Sequence, residues 1–168
     1  MVDVKGIVNR YEAGLRRREA ETEAALKEER TLREANAIAV GRCMRNVVAP
    51  VLRGVRGDLG AMGYTAHVDL IGREDPQLGK RRIAAAVRLT VPSIERSGPP
   101  KRSTLLFEGS FEEQMVTVEA LAYPAGRGVP VQWSGEAPVC RVDKVFVGKE
   151  CEQFLEAVFR CEENDDEA

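Results

Sequence analysis

The stretch Gly63-Tyr64-Thr65-Ala66-His67-Val68-Asp69-Leu70-Ile71 marks where the chain changes its apolar period. Before Gly63, apolar residues recur every three or four positions: Met44, Val47, Val48, Val51, Leu52, Val55, Leu59 and Met62. That spacing predicts a helix with one buried face. After Gly63 they alternate. Ala66, Val68 and Leu70 share one side of a first strand, Tyr64 to Ile71. Gly63 is a natural helix stop, because it can adopt the left-handed conformation that terminates a helix.

The alternation continues downstream. Ile83, Ala85, Val87, Leu89 and Val91 alternate within Arg82 to Pro92, and Val116, Val118, Ala120 and Ala122 alternate within Gln114 to Tyr123. Ser103 to Glu108 reads as a strand between them, and Val129 to Trp133 as a short fifth, with Pro130 marking an edge. The connections are turn-rich: 72–79, Ser97-Gly98-Pro99-Pro100, Gly109-Ser110 and 124–128. With no helix between strands, neighbours are expected to pair antiparallel as a meander. From about Asp143 the helical period returns, with Val147, Cys151, Phe154, Leu155 and Val158 on one face.

Upstream, residues 3 to 36 read as one helix of strong helix formers. Opposite charges recur four apart, as in Glu12 with Arg16, Glu23 with Lys27 and Glu29 with Arg33. Its apolar content is thin. Val4, Val8, Tyr11, Leu15, Ala25, Leu32 and Ala39 follow an approximate coiled-coil track that Arg18, Thr22 and Glu29 interrupt. Pro50 falls inside the next helical pattern and is expected to kink the helix or start a new one, since it lacks an N–H and crowds the preceding turn. Gly54, Gly57, Gly60 and Gly63 recur every third residue, a row that would let another backbone approach or would mark a fraying end.

The fold class expected is therefore α+β: a long N-terminal helix kinked near Pro50, an antiparallel β-meander of four to five strands, and a C-terminal helix packed on the same sheet face. Three regions follow: a charged extended helix over 1–36, a globular unit over 37–161, and an acidic tail over 162–168.

Composition narrows the function classes. Lys plus Arg number 25 against 27 Asp plus Glu in 168 residues, which argues against a surface built wholly for nucleic acid or anionic lipid. No apolar run approaches the roughly 18 residues a membrane span requires. The opening Met1 to Gly6 does not resemble a secretory signal, so a cytoplasmic location is expected. The cysteines Cys43, Cys140, Cys151 and Cys161 form no CxxC pair, and they read as reduced thiols. A single histidine leaves no Cys/His metal set, and no cofactor or small-molecule ligand is identifiable.

His67 and Asp69 share the outward side of the first strand, where they could act as a base and its orienting carboxylate, but no nucleophile accompanies them. Gly98-Pro99-Pro100-Lys101-Arg102-Ser103 lacks phosphate-loop spacing and leads into a strand, not a helix. Lys80-Arg81-Arg82 and Lys101-Arg102 should lie at opposite ends of the sheet, and Arg16-Arg17-Arg18 spreads around its helix. With no catalytic set, the leading expectation is a non-enzymatic interaction module, a small accessory, adaptor or chaperone-like protein. It would self-associate or dock a protein partner through Tyr11, Leu15, Leu26 and Leu32; Trp133 would be a further anchor, or, as the favoured reading, a cap on the core. The alternatives are a nucleic-acid-associated protein using the basic clusters, and a small enzyme using the His67/Asp69 face.

Overall fold

The computed structural model describes residues 2–92, 101–124 and 129–160. Helix α1 runs from Val4 to Cys43 and passes through a π-helical turn, Met44–Val48, into α2, Ala49–Ala61. Five strands follow: β1 (His67–Glu74), β2 (Arg82–Pro92), β3 (Arg102–Gly109), β4 (Met115–Ala122) and β5 (Val131–Pro138). They pair antiparallel in chain order, and α3, Lys144–Val158, closes the chain. The turns at Ser97-Gly98-Pro99-Pro100 and 125–128, the acidic tail and Cys161 lie outside the described residues.

Each boundary has a local cause. Asp3 caps α1, its carboxylate accepting from the Gly6 N–H at 2.9 Å, and Asp143 caps α3 by accepting from the Phe146 N–H at 2.8 Å. Gly63, at φ +86°, ends α2. The Tyr64 N–H reaches Leu59 O and the Gly63 N–H reaches Gly60 O, a Schellman closure. Pro50 sits in the first turn of α2, directly after the π turn, so the gap it makes in the hydrogen-bond ladder falls where the ladder already changes register. The π turn just before it also absorbs a phase error. Val40, Met44, Val48 and Leu52 are all fully buried at spacings of four, which overshoots a period of 3.6. A wider turn with the Ala49 N–H bonded to Met44 O keeps them on one face.

One side of the sheet carries the core. Val87, Leu89, Val91, Leu105, Phe107, Val116, Val118 and Ala120 point into it, and meet Val40, Met44, Val48 and Leu52 from the long helix and Val147, Cys151, Phe154 and Val158 from α3. Tyr64 and Phe159 close the ends of α2 and α3 together edge to face, ring centres 4.9 Å apart. The other side of the sheet carries His67, Asp69, Arg88, Thr104, Glu119 and Ser134.

Several expectations need correction. β1 begins at His67, not Tyr64, and its Leu70 is exposed, because an edge strand is covered from one neighbour only. β5 runs five residues past Trp133; Val131, Trp133, Gly135 and Ala137 lie on the core side and Gln132, Ser134 and Glu136 face out, but the small Gly135 and Ala137 gave the second half little apolar signal. Pro130 precedes the strand. The glycine row of α2 admits no close approach: a Cβ at Gly54, Gly57 or Gly60 would meet nothing within 4 Å. Closely approached glycines lie elsewhere: at Gly41 a Cβ would lie 3.2 Å from Ile83 Cγ2, and at Gly109 it would collide with Val40. Glu29 does not hold Arg33, which turns towards the sheet instead.

Candidate interaction arm

From Val4 to Leu32 the first helix leaves the body and stands in solvent for about 44 Å at 1.5 Å per residue. Its side-chain hydrogen bonds stay within it: Arg17 Nε to Glu21, and Thr22 and Thr31 hydroxyls to the carbonyls of Arg18 and Lys27. Glu12 and Arg16 approach to 3.8 Å, while no ion pair joins Glu23 to Lys27 among the described residues. Such exposed pairs contribute only about 0.3–0.5 kcal/mol each.

The four candidate residues on this arm are open to solvent: Tyr11 is 67% exposed, Leu26 61%, Leu32 59% and Leu15 39%. Val4, Ile7 and Val8 are exposed beside them. The stripe steps by three or four through 4, 8, 11, 15, 18, 22, 25, 29 and 32, and the same steps lead to Asn36, Val40 and Cys43, which are buried. The arm's apolar face is thus the face that the same helix packs against its own sheet, continued past the end of that sheet.

A polar lock fixes where the arm departs. Arg33 Nε donates to Asp75 at 2.6 Å and its Nη1 to Glu112 at 3.1 Å. Asn36 Nδ2 donates to Glu112 O at 3.0 Å, and Gln114 Nε2 donates to Asn36 Oδ1 at 2.8 Å. Asp75 is 3% exposed. Burial pushes its carboxyl up, but the Gln77 N–H at 2.8 Å and the Arg33 guanidinium outweigh this and hold it below its ordinary value. The same contacts raise Arg33 further above its already high value. Sequence reasoning missed this network, since its members come from distant parts of the chain: Arg33 and Glu112 lie 79 positions apart.

Trp133 sits elsewhere. It is half-buried against the core from β5, and its indole N–H points at Glu150 of α3 at 3.5 Å. The arm and Trp133 therefore do not form one surface.

The enzyme alternative gains little from the geometry. Asp69 does not orient His67; it faces Arg88 across the strands at 3.1 Å, while His67 lies opposite Thr90. Together with Lys101, Arg102 and Thr104 they border an open depression of about 470 Å³. Cys43 and Cys151 are buried thiols, pushed up to about 11 and about 12 by burial, and so are not nucleophiles at neutral pH. Among the described residues, no three His, Cys, Asp or Glu side chains are placed to hold a metal ion. No helix among the described residues is long and apolar enough to cross a membrane.

The two strand-end basic clusters do lie apart. Lys101 and Arg102 join His67 and Arg88 on the outer sheet face, whereas Arg81 and Arg82 meet Arg42 and Arg45 of the long helix around a pocket of about 390 Å³. The helix arginines carried no signal in the sequence beyond their three-residue spacing. Compared with protein-family models, curated proteins and solved structures, the chain matches none.

Proposed function

We propose that the chain is a non-enzymatic protein–protein interaction module, a small cytoplasmic accessory, adaptor or chaperone-like protein that associates through the free arm of α1. One observation carries this reading: a stripe of exposed apolar residues, broken by Arg18, Thr22 and Glu29, follows the arm in line with the buried face of the same helix. An isolated helix gains little order from surface ion pairs alone. Burying Tyr11, Leu15 and Leu32 would each add roughly 1.5–3 kcal/mol on full burial, so a partner surface is the natural source of lasting order. The free thiols of Cys43, Cys140 and Cys151 suit a reducing compartment.

The test is the triple substitution Val8→Glu, Tyr11→Glu, Leu15→Glu. These side chains touch nothing in the body, so the thermal melt of the body should move by no more than about 0.5 kcal/mol per site. Association measured by light scattering or partner capture should be lost. A melting temperature that falls as for a core substitution would assign the stripe to folding; unchanged association would place the interaction elsewhere.

A second reading, nucleic-acid association, is favoured by the convergence of Arg42, Arg45, Arg81 and Arg82. It requires affinity for a duplex or single strand that falls steeply with salt.

A further inference from the structure

We infer that the occupant of the arm's stripe is a second copy of this chain, running antiparallel, with the two arms overlapping from tip to body. This rests on the reading of the arm as the association element, and it names the partner and the alignment. Three observations point the same way.

The first is where the body sits. The seam of the arm, continued by three- and four-residue steps, enters the chain's own sheet at Asn36 and Val40. Each body therefore lies on the seam side of its own helix. Two parallel arms joined along that seam would bring both bodies to the same side at the same level, where they exclude each other. Two antiparallel arms put the bodies at opposite ends.

The second is charge. Residues 3–18 carry five Lys and Arg against two Asp and Glu, and residues 19–35 carry six Asp and Glu against three Lys and Arg. The outer half of the arm is net positive and the inner half net negative. Antiparallel pairing lays each positive half on a negative half; parallel pairing lays like on like, with Arg18 facing Arg18 and Glu29 facing Glu29 in the seam.

The third is length. Antiparallel seams match residues whose numbers have a constant sum. Shifting the arms inward by a heptad would drive one tip into the partner's sheet beyond residue 36, and shifting them outward strips Leu32 of a partner. The alignment that fits between sets Val8 against Leu32 of the partner subunit, Leu15 against Ala25 of the partner subunit, Arg18 against Thr22 of the partner subunit, and Tyr11 against Glu29 of the partner subunit. Each tip then ends beside the other copy's Arg33 lock. Two of these layers are apolar and two polar, so the pair is reversible and weakens with salt.

Disulfide trapping in the full chain tests this. The exposed Cys140 and the tail Cys161 are replaced by Ser, leaving the buried Cys43 and Cys151 in place. A Leu15→Cys chain is mixed with an Ala25→Cys chain and oxidised, beside each chain alone, with sedimentation velocity on the unmodified protein. The expected result is a sedimenting dimer and a crosslink that forms at least several-fold better in the mixture than in either chain alone. Crosslinking of Leu15→Cys with itself would show a parallel pair, overturning the inference while leaving the arm as the association element. A full chain that sediments as a monomer at every concentration and gives no crosslink also overturns it. In that case the triple arm substitution separately decides whether the arm serves a different protein.

Discussion

Phe107→Ala is expected to cost about 3–5 kcal/mol, the usual penalty for truncating a fully buried aromatic ring. Phe107 is 0% exposed in the middle of β3, and the buried cluster around it draws on the long helix, α3 and the three central strands together. Domain stabilities are typically about 5–15 kcal/mol, so the loss is a large share of the total. At roughly 2–4 °C per kcal/mol for a chain of this size, the melt should fall by about 6–20 °C. The far-ultraviolet signal should still show one transition. The exposed arm has little order of its own once the body that anchors it has unfolded, because isolated helices are marginal in water. A loss below about 1 kcal/mol would mean that the sheet and helices do not share one core.

Asp75→Ala should destabilise the body by about 2–3 kcal/mol, the scale of a buried hydrogen bond to a charged group. It removes the acceptor of both Arg33 Nε and the Gln77 N–H. The effect has a pH signature. The folded carboxyl is held below its ordinary value of 3.8. Its contribution is therefore complete above about pH 4 and disappears as pH falls through the lower folded value. Denaturant titrations should show the wild-type and Asp75→Asn chains converging in acid and separating towards neutrality. A constant gap across that range would mean that the charge of Asp75 contributes nothing. The variant should also loosen the arm: Arg33 would keep only Glu112, which is 72% exposed, so hydrogen exchange should rise at the helical residues beside the lock.

Much of the fold was legible from period alone. The switch at Gly63, the inward faces of β2 and β4, and the α3 face from Val147 to Val158 each rest on local spacing that the core then fills. What stayed hidden depends on residues brought together by the fold. The Arg33–Asp75–Asn36–Glu112 lock joins one helix to two separate loops, and its polar members look like any other charged residues in sequence. Gly109 looked like a turn residue, yet it makes room for Val40. The α2 glycines looked like a packing row and face open space. The first half of β5 was expected; its continuation past Trp133 was not, because its inward residues there are only Gly135 and Ala137. Of the candidate residues, the four on the arm were singled out as apolar side chains among charged neighbours in a helical stretch, and the structure leaves them exposed. The continuity of their stripe with the buried face required knowing where the sheet ends.

The central claim is that residues up to Leu32 belong to association and not to the core. Its most direct test compares the full chain with one beginning at Arg33, by light scattering and thermal melting together. The account predicts that the shortened chain melts cooperatively close to the full-length temperature once dilution has dissociated the latter, and scatters as a monomer where the full chain forms a larger species. A shortened chain that fails to fold, or a full chain that neither self-associates nor captures a partner, would contradict it.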